Sequence, residues 1–312
     1  MEFLHFLEGI RFPFLDKVML FITNAGDETV FIIIAMVYLW CIDKFDAYYL
    51  LFVGFCTTAL NNLVKAICKV PRPWVRDPSL TAVTEAMPAA TGYSFPSGHT
   101  QSSVGTFGVV AVTSKKNFLK IIAILIAFLV GFSRLYLGVH TPADVLTGAL
   151  LSIILVTVIG LVFKFSGKTV RTMHILFAVC TVLFLIQALF LTFTLDLTDE
   201  RLLSGVKTTY KMLGCILGMF TVYEIDRRFI NYQVKAPLPV QFIKVALGLA
   251  VTLGVKELCY LIFSFISFEP LSRLCSYFVM VIFAGAVWPL TFPLIKKLFS
   301  KKETKNKTLL NF

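Results

Sequence analysis

The chain has 312 residues, 57% of them hydrophobic, with a mean hydropathy of +0.83. That composition excludes an ordinary soluble domain, and apolar runs of roughly 17–25 residues have the length of a bilayer-crossing helix, not of the short alternating strands of a membrane barrel. The net charge of +11, from 29 Lys and Arg against 18 Asp and Glu, reads as positive-inside bias and not as a nucleic-acid surface, so no nucleic-acid partner is expected.

Residues 1–26 are too interrupted to span cleanly, with Pro13, Asp16, Lys17 and Asn24 among their apolar residues. Phe3, Leu4, Phe6, Leu7 and Ile10 recur at helical spacing between Glu2, Glu8 and Arg11, which predicts an amphipathic helix in the outer interface or a re-entrant hairpin. The start carries no basic region followed by a cleavage site, so no cleavable signal is expected. Nine spans are predicted, over about 28–42, 46–68, 97–114, 118–138, 142–164, 172–195, 207–223, 238–263 and 274–297. This is an all-α polytopic bundle. Its expected parts are the N-terminal segment 1–26, a catalytic bundle 27–165, additional transmembrane helices 166–298 and a basic tail 299–312.

Basic loops follow the first, third, fifth, seventh and ninth spans, and acidic or mixed loops follow the sixth and eighth. The positive-inside rule then places the N-terminus outside and the C-terminus in the cytoplasm. The seven cysteines are scattered through apolar runs without a CxxC pair and read as small hydrophobes. Gly214 and Gly218 have the spacing of a close helix contact inside the bundle.

Three polar clusters interrupt the apolar chain, and the topology brings all three to the outer ends of the second to fourth spans. Lys65 ends a helix stopped by Pro71 and Pro73, and a bend there can return Arg72 to its side, two cations that imply an anion. Pro96, Ser97, Gly98 and His99 read as a helix start. Its free amides favour an anion, and His99 beside it has the titration range of a general acid or base. In the third cluster Arg134 offers a planar fork for phosphate oxygens. His140 lies one turn before Asp144, so a carboxylate can hold one imidazole nitrogen and leave the other free to attack.

Order and spacing resemble the three signatures of the type 2 phosphatidic acid phosphatase and haloperoxidase superfamily. Lys65 with Arg72-Pro73, then Pro96-Ser97-Gly98-His99, then Ser133-Arg134, His140 and Asp144 match every signature position over residues 65–144. The resemblance implies a phosphatase working through phosphohistidine without metal or other cofactor. His140 would be the nucleophile, Asp144 would orient it, and His99 would protonate the leaving oxygen. Lys65, Arg72, Ser97, Gly98 and Arg134 would hold the phosphate. The layout is similar to that of glucose-6-phosphatase and the sphingosine-1-phosphate phosphatases.

The expected activity is therefore hydrolysis of a lipid phosphate monoester or diphosphate, by a multi-pass cell-membrane protein acting at the extracytoplasmic face. Loop 74–95, with Trp74, Val75, Leu80, Met87, Tyr93 and Phe95, favours a lipid over a sugar phosphate. A lipid phosphotransferase, a sugar-phosphate phosphatase and a lipid carrier or flippase on the same fold are the alternatives. The sequence assigns neither an oligomeric state nor a catalytic motif to residues 172–312.

Overall fold

A computed structural model describes residues 1–90 and 92–299. The expected tail thus lies outside the described residues from position 300 onward. Every regular element among the described residues is helical. Two short helices open the chain, α1 (Glu2–Gly9) and α2 (Pro13–Thr23). The bundle follows as α3 (Glu28–Val37, extended by a wider turn to Ile42), α4 (Lys44–Cys68), the single turn α5 (Pro73–Arg76), α6 (Gly98–Thr113), α7 (Asn117–Tyr136), α8 (Pro142–Ser166), α9 (Val170–Thr194), α10 (Glu200–Ile225), α11 (Leu238–Ile262) and α12 (Glu269–Ile282), whose apolar stretch runs on to Phe299.

Local sequence sets many of these boundaries. The Asp43 carboxylate accepts the Asp46 amide at 3.0 Å and caps α4. The Thr169 hydroxyl accepts the Thr172 amide and caps α9. At α8 Pro142 occupies the first turn, and Thr141 and Asp144 bond each other's backbone reciprocally as a capping box. Helix α4 stops when Lys69 turns left-handed, with φ 47°.

Among the described residues six helical stretches are long and apolar enough to cross a membrane: α4 with α5, α7, α8, α9, α11 and α12. A seventh is counted if the pair Pro13–Gly26 and Glu28–Ile42, bent by 50°, is one broken span. The nine predicted segments are all helical, but three fall short as individual spans: the first, over 28–42, counts only as part of that bent pair, and two others fail by length or polarity. Helix α6 has 16 residues, fewer than the roughly 20 that cross a bilayer. Helix α10 is long enough at 26 residues but carries Lys207, Lys211 and several hydroxyls. The exposed faces of the long helices are greasy, for example Leu146, Leu150 and Phe165 on α8, as lipid contact requires. This is a multi-pass membrane protein.

Helix α4 joins two groups of helices. On one side it packs with α6 and α8, and α6 also packs on α7; on the other side it packs on α9 and α10. Helix α12 covers α10 and α11. The α10–α12 contact is made at Gly214 and Gly218, the latter facing Phe278 and Val281 of α12. The shared core is aromatic. Tyr48 and Phe52 of α4 stack against Phe177 of α9, and Tyr48 also meets Tyr223 of α10 edge-on at 5.6 Å. Buried Lys244 donates to the carbonyl oxygens of Trp40, Gln233 and Val234, so its ammonium ties the end of α3 to the segment that leads into α11.

The loops carrying Asp43-Lys44, Lys168 and Asp226 meet at one end of the bundle, where Lys44 pairs with Asp226 at 2.6 Å and Lys168 with Asp46 at 2.8 Å. The first two motif clusters follow the opposite ends of α4 and α5, and the third follows α7. The N-terminal helices lie over that far end. The Tyr136 hydroxyl donates to Asp16 at 2.8 Å, Arg11 Nε donates to the Tyr136 carbonyl at 2.7 Å, and Glu8 accepts from the amide and hydroxyl of Thr81.

Gly248 admits the packing of α11 against Trp40 and Trp288, because a Cβ there would collide with both indoles. Gly254, less than two turns on, has open space around it. Gly248→Val should therefore destabilise the protein by about 1–3 kcal/mol, as overpacking does, and lower its thermal unfolding midpoint in detergent. Gly254→Val should leave that midpoint unchanged.

Candidate active site

The three clusters converge, and each is brought in by a different break in the helices. After α7 the chain turns at Gly138, with φ 74°, and presents His140 just before the cap of α8. His140 and Asp144 are both buried, at 1% and 2% exposure. After α4 the chain breaks at Lys69, and Arg72 precedes Pro73 at the start of α5, with its guanidinium turned inward. The Ser97–His99 turn is gripped from two sides by glycines. A Cβ at Gly26 would lie 2.9 Å from the His99 carbonyl oxygen, and one at Gly148 would lie 2.7 Å from that of Ser97.

Arg72 is the link between clusters. Its Nε donates to the Gly92 carbonyl at 3.1 Å, and its Nη1 donates to the Val139 carbonyl at 3.1 Å and approaches His140 Nε2 to 2.9 Å. A guanidinium has donors only, so Nε2 is the acceptor and the imidazole proton is assigned to Nδ1. That nitrogen faces Asp144 Oδ2 at 3.5 Å. The same oxygen accepts the Ser94 hydroxyl at 2.6 Å and the Thr141 amide at 2.8 Å. The lone pair of Nε2 thus points toward the cations, with the carboxylate behind the ring. Burial, reinforced by the cations Arg72, Arg134 and Lys65, holds the His140 imidazole well below its ordinary value of 6.5. The ring is neutral at pH 7, which nucleophilic attack requires.

Arg134 has no exposed surface. Its Nη1 donates to the Thr23 hydroxyl at 2.8 Å, while Nε and Nη2 are buried with no hydrogen-bond partner among the described residues. Lys65, at the end of α4, has Arg72, Arg134 and Asp144 as its charged neighbours. Three cations therefore gather in one region, Lys65 and Arg72 near Asp144 and Arg134 near Asp27, and two good donors of buried Arg134 stand idle, which is the electrostatic signature of an anion site.

His99 sits in the first turn of α6 with Nε2 2.8 Å from Asp27 Oδ1, although the carboxylate lies out of line with the ring N–H. Ser97 is the cap of α6. Its hydroxyl accepts the Thr100 amide at 3.4 Å and shares a 2.9 Å hydrogen bond with the Thr100 hydroxyl. Pro96 lies before that cap, after a cis peptide bond with Phe95, and so is not in the first turn of the helix. The Ser97 side chain is therefore already engaged, and the free amides of the turn around Gly98 are the more available donors. Asn61 steadies the turn by donating to the Pro96 carbonyl at 3.2 Å and to Gln101 Oε1 at 2.7 Å.

All eight residues singled out from the sequence thus belong to one neighbourhood. Sequence reasoning missed Thr23, Asp27 and Ser94, which hold Arg134, His99 and Asp144. Thr23 and Asp27 flank the bend between α2 and α3, and nothing in their local sequence distinguishes them from ordinary cap residues. Loop 74–95 departs from its expected role: Leu80 is buried, and the Tyr93 hydroxyl donates to Asp199. Part of this loop is therefore structural packing and not a greasy rim. Among the described residues no group of three or more His, Cys, Asp or Glu side chains converges as metal ligands would.

The chain is also similar to known proteins. A family model described as the PAP2 superfamily matches residues 46–168, and one described as PAP2 superfamily phosphatase, transmembrane extension, matches residues 210–301. The chain is 33% identical over 159 residues to phosphatidylglycerophosphatase B of Bacillus subtilis, an alignment covering 47% of this chain and 74% of that relative. It is 28% identical over 155 residues to undecaprenyl-diphosphatase BcrC of the same organism, covering 49% and 75%. The crystal structure of a transmembrane PAP2 type phosphatidylglycerolphosphate phosphatase from Bacillus subtilis aligns with a TM-score of 0.45 at 29% identity, over 55% of this chain and 85% of that one. With a relative of this identity aligned over three quarters of its length, and with the site assembled as described, the chain belongs to the PAP2 superfamily and is an integral membrane phosphatase.

Proposed function

We infer that this phosphatase hydrolyses a lipid phosphate monoester or diphosphate through a phosphohistidine intermediate, with the site at the extracytoplasmic face. The observation that carries the chemistry is Arg134, whose two idle buried donors stand beside Lys65 and Arg72 around a neutral His140. The lipid class is supported by the relatives, which are named for phosphatidylglycerophosphate and undecaprenyl diphosphate. The orientation is supported by the positive-inside rule. The loops that meet at the end of the bundle opposite the site carry Lys44, Lys168, Arg227 and Arg228, which supports a cytoplasmic placement of that end. On this reading all nine helical segments from α3 onward cross or enter the bilayer, with α6 shortened by the site it caps.

The reaction has two halves. The phosphate takes the donors of Lys65, Arg72, Arg134 and the Gly98 turn. Arg72 leaves Nε2 for a phosphate oxygen and so uncovers the nucleophile. His140 Nε2 forms a bond to phosphorus as the bond to the lipid oxygen breaks, and His99 gives that oxygen its proton. Asp144 holds the Nδ1 proton and stabilises the positive charge that develops on the ring. Water then loses a proton to His99 and attacks phosphorus, releasing inorganic phosphate and restoring His140. The site supplies positioning and charge neutralisation, which dominate catalysis of phosphoryl transfer.

The direct test is phosphate release by purified protein in detergent micelles with EDTA present, on phosphatidate, phosphatidylglycerophosphate, a polyprenyl diphosphate and glucose-6-phosphate. The wild type should act on a lipid substrate, and His140→Ala should be inactive while still folded. Release from the sugar phosphate alone, or strict dependence on magnesium, would overturn the reading. Transport of lipid without phosphate release, unaffected by His140→Ala, would favour the carrier.

Two variants separate the roles. Asp144→Asn should lower kcat by about 10²–10⁴-fold with little effect on KM; a pure KM effect counts against an orienting role. Arg134→Ala should cost about 10²–10³-fold in kcat/KM, the scale for losing a positioned donor to a transition-state oxyanion. Normal turnover by that variant would show that its idle donors do not bind phosphate. Asp27→Asn should lower kcat more than KM if the carboxylate positions His99, and a steady-state comparison with wild type checks this.

A further inference from the structure

A cavity of about 560 Å³ lies between the two groups of helices, inside the size range of small-molecule sites. One end is made by Asp27, Asn61, Gly98 and His99, so it begins at the candidate active site. From there it follows α3 from Glu28 to Leu39, a depth of about 16 Å at the helical rise of ~1.5 Å per residue. The wall is overwhelmingly apolar. Four of the chain's eight methionines line it, Met36, Met212, Met219 and Met280, and methionine is the side chain that best adapts to an irregular or flexible guest. Two wall atoms, Gln101 Nε2 and Thr252 Oγ1, are buried without a hydrogen-bond partner among the described residues.

The geometry points to this cavity as the binding chamber for the hydrocarbon tail of the leaving lipid alcohol, with the transmembrane extension as its far wall. This assignment rests on the proposed function, in which His99 is the proton donor to the leaving oxygen. In an in-line displacement the leaving oxygen lies opposite the attacking nitrogen. If His140 attacks and His99 protonates, the alcohol must depart on the His99 side, and the cavity opens at His99. The chain attached to that oxygen then runs down between α3, α4, α10, α11 and α12. The idle Gln101 atom, on the same helix turn as His99, is placed to meet an ester or hydroxyl group near the head of that chain, and Thr252 lies further along the wall. Met212, Leu249, Leu253 and Met280 all belong to the matched extension at residues 210–301, which gives the extra helices a task in substrate selection.

The test uses the full chain in detergent and a series of non-hydrolysable alkyl phosphonates of butyl, decyl and hexadecyl length, with binding measured calorimetrically. The wild type should bind more tightly as the chain lengthens. Leu249→Trp and Met280→Trp, which fill the chamber far from His99, should weaken the hexadecyl compound by at least about tenfold and leave the butyl compound unchanged. Affinity that does not depend on chain length overturns the inference, as does a hexadecyl affinity that survives in both folded variants. The second result would mean that the chamber holds a resident bilayer lipid or nothing. Turnover of the corresponding alkyl phosphates is followed in parallel. Chain-dependent phosphonate binding with no phosphate release from any ester would leave the chamber standing and remove the catalytic reading.

Discussion

The buried guanidinium of Arg134 is the constraint around which the site is arranged. An arginine side chain stays protonated under any condition in which the protein folds. Removing it from water without partners costs several kcal/mol. Here the side chain has no exposed surface and one protein acceptor, the Thr23 hydroxyl. Two further cations, Lys65 and Arg72, lie in the same region with Asp144 as the nearby carboxylate. Such a cluster is unstable in isolation and persists because the surrounding helices over-determine it: the break after α4, the Gly138 turn after α7, and the bend between α2 and α3 that delivers Thr23. On the proposed function a phosphate group completes it, and the cost of gathering these cations is offset by their interaction with a tetrahedral anion and its transition state.

Asp144 shows how one carboxylate can set a helix start and face a buried imidazole together. It closes the capping box of α8 through the Thr141 amide, accepts the Ser94 hydroxyl, and faces Nδ1 of His140. The first bond fixes where the helix begins, and that fixes the ring position one turn earlier. The tautomer follows from Arg72 on the other nitrogen. The imidazole is therefore set by backbone geometry on one side and by a buried cation on the other. On the proposed mechanism that cation moves to the substrate, which uncovers the attacking lone pair.

The two groups of helices around α4 divide the work differently. The α4, α6, α7 and α8 group carries every motif residue. The α9–α12 group carries none, yet it shares the aromatic core through Tyr48, Phe52, Phe177 and Tyr223 and closes the apolar cavity beside His99. Its attachment is rigid where backbones touch at Gly214 and Gly218, and soft where methionines line the space. A firm frame with an adaptable lining suits recognition of long flexible chains better than recognition of a rigid sugar.

Much of this architecture is legible in the amino-acid sequence alone. Hydropathy determined an all-helical membrane bundle because each span must satisfy its own backbone within the bilayer. Motif spacing pointed to phosphate chemistry and to where its residues would lie, because Lys65, Arg72, Arg134, His99, His140 and Asp144 are chemically distinctive residues at helix ends. Hydropathy was less decisive for α6 and α10, where buried polar residues at protein contacts replace lipid-facing ones. Only the tertiary structure decided which ordinary residues complete the site. Thr23, Asp27 and Ser94 are common types in common positions, and their roles come from the packing of residues 1–27 and loop 74–95 against helices distant in sequence. The cavity is likewise invisible in one dimension, since its wall is drawn from six helices whose apolar side chains look alike whether they face lipid, protein or empty space.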